Sequence, residues 1–491
     1  MRYKPYGNTG KLVSALGFGG SRFSTAECST PEGRQRYADL IVKAHEAGVN
    51  YFDTAPGYCG GMSEQVFGLA FEKLRQAGRQ NFYVATKSTQ PDDPTAEAVR
   101  QRIEQSLRAL QMDKIHFFHM WGILTLEQYH KVMAPGGPYW GALKAKEEGL
   151  VEHICFSTHC TGEEIEKIID DGYFEGVTLG YNAINFKFRE RGLLAAKRRG
   201  LGVAIMNPLG GGVIPRQKTH FAFLAEAGES IAQAALRFVL GNKAVSVALS
   251  GMTNDSELEE NLAAVNNDRP FTLERIEHIR TRISQDLDSL CTGCQYCNGC
   301  PQGIEIYKPM LSYNTFILSR GDTQGFLEDM EVAWRLPPAH IFDCIECGLC
   351  EEKCTQHLPI RERLAHINGI RLSLPTSTKE AVDACFAASR QGKKTGIYAM
   401  GNHAKALFAD YEEVYGPPDF PLYLFDSDSR KWGSQPWLPG LVVRPPEEIE
   451  TLGIERLIIA STTSFAEIAE SLSRLQAKGV EFVAYNLFSQ S

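Results

Sequence analysis

Two short cysteine runs constrain this chain of 491 residues more than any other feature. They hold eight of its thirteen cysteines, whereas a disulfide framework spreads cysteines through a small secreted domain. Within each run, three cysteines are separated by two residues, a spacing that lets three thiolates wrap one face of an iron–sulfur cube. The first run is Cys291, Cys294, Cys297 and Cys300, followed by a proline, and the second is Cys344, Cys347, Cys350 and Cys354.

The fourth ligand of each predicted cluster must lie outside its own triad. In two-cluster ferredoxins each run gives its last cysteine to the other cluster, and on that rule we predict two [4Fe–4S] clusters. The last spacing of the first run is two residues where three are usual, which a crossing ligand tolerates. Structural zinc, which prefers two CxxC pairs separated by a longer loop, and disulfides are the alternatives. The predicted ligand sets are Cys291, Cys294, Cys297 and Cys354 for one cluster, and Cys344, Cys347, Cys350 and Cys300 for the other.

Composition argues against several other classes of protein. The formal net charge is −8, and no basic stripe or polybasic segment suggests nucleic acid or anionic lipid as a partner. The N-terminal segment lacks the apolar core of a signal peptide, and no stretch approaches the ~18 apolar residues of a membrane-spanning helix. We therefore predict a cytoplasmic protein with reduced thiols and no membrane partner.

Residues 13 to about 265 alternate short β-rich runs with helical patterns, which predicts βαβ units and a parallel sheet. About eight units can be counted, the number of a (β/α)8 TIM barrel, although an open, doubly wound sheet alternates in the same way. The clearest strands are predicted at 82–87, 114–121, 153–158, 176–182, 202–207 and 245–250, and the clearest helices at 95–110 and 230–240.

The chain changes character after this α/β segment. We predict a barrel domain over residues 1–285, a small α-rich ferredoxin-type domain with both cysteine runs over 286–375, and a linker helix over 376–392. A new αβ pattern follows, with strands in IYAMG, YLFDSD, ERLIIAS and VEFVAYN, and predicts a Rossmann-like domain over 393–491.

The barrel segment carries several motifs that occur together in one enzyme family. RYKPYGNTGKLVSALGFGG at the N-terminus, FDTAPGY, VATK, PLGGG and the AALRFVL…SGMTNDSELEENL tail resemble the aldo-keto reductases. The cysteine segment resembles a ferredoxin-type extension found on one branch of that family. The resemblance implies a TIM barrel that interconverts an alcohol and a carbonyl group, with NAD(P)(H) as the hydride carrier.

The family uses an Asp, a Tyr, a Lys and a His at the C-terminal ends of barrel strands. The resemblance places the first three at Asp53, Tyr58 and Lys87. A carbonyl that accepts hydride develops negative charge on its oxygen, to which a phenol can donate a proton. Since a free phenol has a pKa of about 10, a buried ammonium beside it makes it a better acid. Tyr58 is thus the expected acid, Lys87 its tuner and Asp53 the anchor of Lys87.

The position of the histidine is ambiguous. An ungapped alignment with the family puts Trp121 there. His119 lies on the same face of the strand, about 7 Å away, and takes the position if the strand is shifted, bulged or shortened. We predict His119 as the catalytic histidine, with Trp121 lining the pocket as the alternative.

The resemblance also implies residues that bind an extended NAD(P). The Pro-Leu-Gly loop and its glycines permit close approach of the backbone to pyrophosphate. Thr158 replaces the asparagine that usually follows the serine at the carboxamide. The expected cofactor residues are Ser157, Met206, Pro208, Leu209, Gly210, Gly251, Glu260 and Asn261.

Two positions favour NAD over NADP. The lysine and the arginine with which the family binds the adenosine phosphate align with Gly251 and Glu257. A 2′-phosphate needs cationic partners, and a carboxylate repels it. Poor binding of any nicotinamide cofactor is the alternative.

The C-terminal domain gives a weaker signal. Gly401 follows a predicted strand and precedes a predicted helix, whose N-terminus could receive an anion, and Asp426 or Asp428 could accept a hydrogen bond from a ribose hydroxyl. The segment from FDSDSRKWG to RLIIAS resembles Rossmann-like domains attached to enzymes of sugar and nucleotide-sugar metabolism. It therefore suggests a sugar substrate, and a docking or dimerisation domain is the alternative.

Three functions are compatible with these parts. The leading prediction is an iron–sulfur oxidoreductase that interconverts an alcohol and a carbonyl group with NAD(P)(H), with NAD favoured, and exchanges electrons through its clusters with a carrier such as a ferredoxin. The second is a carbonyl reductase that uses NAD(P)H alone and has structural clusters. The third is a non-catalytic electron-transfer or scaffold subunit.

Overall fold

The computed structural model divides into two compact units, Met1–Thr292 and Gly293–Ser491. In the part of the chain that it describes, no helix combines the length and the apolar composition needed to cross a bilayer. The described residues are 1–266, 272–287, 289–321, 323–328, 330, 343–373, 379–401, 404–405, 407–408, 412, 421–435, 438–461 and 465–485.

Eight parallel strands of the first unit form a closed barrel. Strand β10 (Val247–Ser250) pairs with both β3 (Leu16–Gly19) and β9 (Gly202–Met206), which closes the sheet. The predicted (β/α)8 TIM barrel is therefore confirmed, and the open doubly wound sheet is wrong. The strands between them are β4 (Tyr51–Asp53), β5 (Tyr83–Thr89), β6 (Ile115–Ile123), β7 (Val151–Thr158) and β8 (Gly176–Gly180).

The helices of the first unit alternate with these strands. Each strand and helix that the periodicity predicts here is observed within two residues of its predicted bounds. The helices are α1 (Thr25–Cys28), α2 (Pro31–Glu46), α3 (Ser63–Gln76), α4 (Ala96–Leu110), α5 (Leu126–Met133), α6 (Pro138–Glu147), α7 (Gly162–Asp170), α8 (Phe186–Arg199), α9 (Val213–Arg216), α10 (Lys218–Phe221), α11 (Ile231–Gly241), α12 (Asp255–Asn266) and α13 (Leu273–Asp286), with 3-10 turns at Gly20–Arg22, Tyr58–Gly61, Gly210–Gly212 and Ala222–Leu224.

Helix α4 shows why the spacing of apolar residues predicts the helices of the barrel. Its buried residues Val99, Ile103, Leu107 and Leu110 recur at helical spacing, so one stripe of the helix is apolar. The Thr95 side chain accepts a hydrogen bond from a backbone N–H of the first turn, which fixes the start of the helix.

The second unit contains most of the cysteine segment and a six-stranded sheet. The strand order is β13-β14-β12-β11-β15-β16, with β13 antiparallel to β14 and the other pairs parallel. This order fits the predicted Rossmann-like domain, an identification that stays a prediction. The strands are β11 (Thr395–Tyr398), β12 (Leu422–Phe425), β13 (Gly433–Gln435), β14 (Leu438–Arg444), β15 (Arg456–Ile459) and β16 (Glu481–Ala484).

The sequence analysis did not predict β13 or β14 as strands. Much of the helix predicted after Gly401 falls on residues 402–403, 406 and 409–411, which lie outside the described residues. The helices described in this unit are Tyr307–Leu318, Thr323–Glu328, Leu349–Glu352, Ile360–Ser373, Lys379–Arg390, Glu448–Thr451, Phe465–Ser471 and Ser473–Gln476, with a 3-10 turn at Ser429–Lys431.

An N-terminal hairpin closes the end of the barrel where its strands begin. Strands β1 (Tyr3–Pro5) and β2 (Leu12–Ser14) pair antiparallel, and the wholly buried Tyr6 follows β1. The Tyr6 ring lies against the first residue of β9, because a Cβ on Gly202 would come within 2.0 Å of Tyr6 Cδ1. Glycine at this position therefore makes room for the tyrosine that fills this end of the barrel.

We expect Gly202→Ala to lower the free energy of unfolding by about 1 to 3 kcal/mol, since the new methyl group overpacks the Tyr6 ring. Urea denaturation measures the change. Gly57→Ala is the matched control, because a Cβ there meets no atom within 4 Å. Equal stability of the two variants would contradict the packing described here.

Candidate functional site

A buried ion pair joins the ends of β4 and β5. Lys87 Nζ donates to Asp53 Oδ1 at 2.7 Å and to the carbonyl oxygen of Thr54 at 2.7 Å. Lys87 is only 2% exposed and Asp53 only 4%. The structure therefore brings together the predicted anchor and the predicted tuner, and their catalytic roles stay a prediction.

The electrostatics of the pair make each charge depend on the other. Burial raises the pKa of Asp53 and lowers the pKa of Lys87, and in each case the opposite charge of the partner acts against burial. A buried charge that loses its partner is strongly destabilised. Asp53 therefore keeps Lys87 protonated to higher pH than burial alone would allow.

Tyr58 lies beside this pair, in the 3-10 turn that follows β4. Lys87 Nζ lies 5.2 Å from the centre of the half-buried Tyr58 ring. The Trp121 ring meets Tyr58 edge to face, with 5.5 Å between the ring centres and 84° between the planes. The structure therefore brings Asp53, Tyr58, Lys87 and Trp121 together, and their shared role in a substrate pocket stays a prediction.

His119 lies in the barrel interior. It is wholly buried, pairs in register with Lys87 on the neighbouring strand, and forms a hydrogen bond through Nε2 with Thr178 Oγ1 at 2.9 Å. Burial, and then the charge of Lys87, lowers the pKa of His119 to about 3. The ring is therefore neutral at physiological pH.

Strand β6 contains the irregularity that the sequence analysis left open. Its register shifts between Met120 and Ile123, after His119 rather than before it. The shift lies at Trp121, and it is Trp121 whose ring contacts Tyr58. The catalytic role of His119 stays a prediction, and so does Trp121 as the residue that lines the substrate pocket.

Two polar residues at the start of α3 hold the strand ends that surround Lys87. Ser63 Oγ and Thr54 Oγ1 are 2.8 Å apart, and Thr86 Oγ1 donates to Glu64 Oε1 at 2.6 Å. All four residues are buried. Sequence reasoning missed this network, although the Ser-Glu pair directly after the Tyr58 turn was a visible signal.

The expected pyrophosphate loop follows β9. Met206 is the last residue of the strand and is half-buried, and the Asn182 side-chain amide donates to the Asn207 carbonyl at 2.9 Å, which ties the loop to the end of β8. After Pro208 the chain forms a 3-10 turn of three glycines, all with positive φ. The loop therefore exposes backbone rather than side chains.

The other expected cofactor residues lie at neighbouring strand ends. Ser157 is buried near the end of β7. The hydroxyl of Thr158 donates to the Ile123 carbonyl at 2.8 Å, so its proton already has an acceptor within the barrel. On α12, the side chain of Asn261 donates to Ser250 Oγ at 2.9 Å. Glu260 lies on α12 beside Asn261.

Arg22 brings a positive charge to this loop that sequence reasoning missed. A Cβ on Gly251 would lie 2.4 Å from Arg22 Cγ, and a Cβ on Gly211 would lie 3.5 Å from Arg22 Nη2. The arginine stem therefore fills the space of the absent side chain at 251, and its guanidinium faces the glycine turn. Arg22 is exposed, and guanidinium groups bind phosphate oxygens in pairs.

The start of the first cysteine run packs on the same glycine turn. A Cβ on Gly211 would come within 2.1 Å of the Thr292 carbonyl oxygen, and Gly211 has φ +67°, a conformation that favours glycine. Cys291, directly before Thr292, is buried. The first predicted cluster ligand thus adjoins the expected nucleotide loop.

The predicted ligands of the second cluster line one cavity of the second unit. The cavity is lined by Cys300 from the first run and by all three cysteines of the second triad, and also by Cys297, which is predicted as a ligand of the other cluster. In the described part of the chain no three potential ligands converge as on a single metal ion. A [4Fe–4S] cluster is ligated by four thiolates around it, and a ring of cysteines about a cavity fits this arrangement.

Cys354, the predicted fourth ligand of the other cluster, lies near Cys294 of the triad that it is expected to complete. Cys294 Sγ lies 3.3 Å from Thr355 Oγ1, next to Cys354. Burial raises the pKa of Cys354, and the neighbouring Cys294 raises it further. The exchange of the last cysteine between the runs is compatible with this arrangement.

Asp426 in the C-terminal sheet already has partners. Its carboxylate accepts from the Met400 N–H at 2.7 Å, the Asp428 N–H at 2.8 Å and Lys431 Nζ at 2.9 Å. Asp428 forms an ion pair with Arg430 at 2.8 Å. The buried Asp426 therefore joins the ends of β11 and β12, and a role for either carboxylate at a ribose stays a prediction.

Two protein-family models match this chain. The model of the aldo/keto reductase family matches residues 15–282, and that of a 4Fe-4S dicluster domain matches residues 290–359. The first match covers more than half of the chain. The chain therefore belongs to the aldo/keto reductase family and is an oxidoreductase that carries a 4Fe-4S dicluster domain after its barrel.

Individual relatives are more distant. L-galactose dehydrogenase of Arabidopsis thaliana is 30% identical over 290 residues, which are 54% of this chain and 88% of that protein. The NADH-specific methylglyoxal reductase of Escherichia coli is 23% identical over 325 residues, 56% of this chain and 98% of that protein. An aldo-keto reductase from Bacillus halodurans in its holo form is 22% identical, with 57% and 96% of the two chains covered and a TM-score of 0.49.

We expect Asp53→Asn to move the alkaline limb of the profile of kcat/KM against pH to lower pH. Burial already lowers the pKa of Lys87, and loss of the Asp53 charge lowers it further, so the ammonium loses its proton sooner. Asp93→Asn is the control, since Asp93 forms a largely buried ion pair with Arg102 outside the pocket. An unmoved limb in Asp53→Asn, or an equal shift in both variants, would contradict this account.

We expect Arg22→Ala to raise the KM for NADH and for NADPH alike by about tenfold, because the guanidinium faces the expected pyrophosphate loop and both coenzymes contain a pyrophosphate. Steady-state kinetics with either coenzyme measure the change. Arg108→Ala, at an exposed position on α4, controls for loss of a surface charge. A KM effect confined to NADPH would place the guanidinium at the 2′-phosphate instead.

Proposed function

We propose that this chain interconverts an alcohol and a carbonyl group on a sugar-type substrate with NAD(H), and passes electrons through two [4Fe–4S] clusters. Two observations support the two halves of this proposal. The first is the buried Lys87–Asp53 pair beside Tyr58. The second, which carries the electron-transfer half, is the contact of Thr292 with the glycine turn at Gly211.

The proposed chemistry of the barrel rests on three side chains. A bound nicotinamide supplies or accepts the hydride. The phenol of Tyr58 gives a proton to the carbonyl oxygen or takes it back from the alcohol, and the ammonium of Lys87 favours the phenolate form. Asp53 holds Lys87 in its charged state.

Trp121 supports a sugar as the substrate. It brings a half-buried aromatic ring to the pocket beside Tyr58, at the position where the family resemblance expects a histidine. An aromatic ring offers an apolar face to the C–H groups of a sugar and leaves proton transfer to Tyr58. The relative named L-galactose dehydrogenase is consistent with this class of substrate.

The preference for NAD rests on charge. The Glu257 carboxylate accepts hydrogen bonds from the Thr253 N–H at 2.7 Å and the Thr253 hydroxyl at 3.0 Å, so it is held near the expected adenosine end. A fixed carboxylate there repels a 2′-phosphate. Arg22 faces the expected pyrophosphate loop, and it does not discriminate between the coenzymes because NAD and NADP both contain a pyrophosphate. The relative named NADH-specific methylglyoxal reductase is consistent with this preference.

The first experiment adds NADH to the full chain, purified without oxygen with its clusters loaded, and follows the visible cluster absorbance and the electron paramagnetic resonance signal. We expect the absorbance to bleach and a reduced-cluster signal to appear. NADH that binds without reducing the clusters would favour the reductase with structural clusters. Failure to bind NADH would overturn the proposal.

Tyr58→Phe is the matched variant in the same experiment. It should leave the reduction of the clusters by NADH unchanged, because that transfer needs no proton from the phenol. It should slow carbonyl reduction by about 10² to 10⁴ fold. Unchanged carbonyl reduction would favour the scaffold hypothesis.

A further inference from the structure

One of the eight predicted cluster ligands reaches the surface. Cys347 is exposed, whereas the other seven cysteines of the two runs are buried or half-buried. Cys347 also lines the cavity that holds the predicted ligands of the second cluster. Electrons can therefore leave or enter this part of the chain over the shortest distance at Cys347.

Two large apolar side chains flank Cys347 at this surface. Ile345 is 59% exposed and Leu349 is 40% exposed, and both line the same cavity. Exposed apolar groups that cluster at one place mark binding surfaces more often than singly scattered ones do. The two side chains thus form an apolar centre around the exposed ligand.

The charges around this centre are mainly negative. Asp343, Glu346 and Glu352 are exposed, and none of them forms a salt bridge with another residue that the structure describes. Arg361 is neutralised by Glu351 at 2.8 Å. Apart from the buried Arg363, this leaves Lys353 as the one opposing charge in the described segment 343–363. An acidic rim of this kind attracts a basic surface and speeds its encounter.

We propose that the surface formed by Ile345, Cys347 and Leu349 docks a one-electron carrier protein whose own docking face has an apolar centre and a basic rim. The proposal deepens the proposed function and rests on it for the source of the electrons. Oxidation of one NADH to NAD⁺ and a proton releases two electrons. Two molecules of one-electron carrier therefore leave this surface reduced for each NADH that is oxidised through the clusters.

The test measures binding by the full, cluster-loaded chain with isothermal titration calorimetry. The basic probe is oxidised cytochrome c, and the acidic probe is a plant-type [2Fe–2S] ferredoxin. We expect cytochrome c to bind, its Kd to rise with ionic strength as for opposite charges, and the ferredoxin to bind at least tenfold more weakly. Tighter binding of the ferredoxin would overturn the proposal.

Variants locate the surface. Ile345→Ser and Leu349→Ser should each raise the Kd for cytochrome c by about tenfold. Leu194→Ser is the matched control, at a 63% exposed leucine on the barrel helix α8, and should leave the Kd unchanged. Equal Kd values for all three variants would place the docking surface elsewhere.

Variants of the acidic residues test the proposal independently, and they remain informative if Ile345→Ser or Leu349→Ser loses iron. Glu346→Gln combined with Glu352→Gln should weaken the dependence of the Kd on salt without changing the iron content. An unchanged dependence would overturn the proposal. Carbonyl reduction by these variants should equal that of the unaltered chain, so a failure of docking is distinguishable from a failure of the barrel chemistry.

Discussion

Closure of the barrel is the constraint on which the candidate site depends. The pairing of β10 with β3 turns the sheet into a ring, and a ring of parallel strands gathers every C-terminal strand end on one face. Asp53 and Lys87 are 34 residues apart in the chain but meet at 2.7 Å on that face. The strands of this pair are direct neighbours, and closure brings the ends of β9 and β10, with Met206 and Gly251, to the same face.

Local patterns in the sequence were sufficient for most of the architecture. Apolar residues at helical spacing, as in α4, and short β-rich runs are visible in a single chain, and they place the elements of the barrel within two residues. The cysteine spacing was equally informative, because it predicts a 4Fe-4S dicluster domain, and the family model for such a domain matches residues 290–359. The cavity lined by Cys300 and the second triad is compatible with the predicted exchange of ligands.

Contacts between distant segments could not be predicted in this way. Arg22 approaches Gly251 across more than two hundred residues, and no periodicity links the two positions. The choice between His119 and Trp121 depended on a register shift in β6, which is set by the pairing of strands and not by the strand alone. Strand β14 is a different case, since its apolar run LVV is visible in the sequence.

The contact of Thr292 with Gly211 has a thermodynamic consequence. It places the start of the predicted cluster segment against the loop that is expected to bind the nucleotide. Linkage between two binding equilibria is reciprocal. Under the proposed function, any factor by which cluster loading changes nucleotide affinity equals the factor by which the nucleotide changes retention of the cluster.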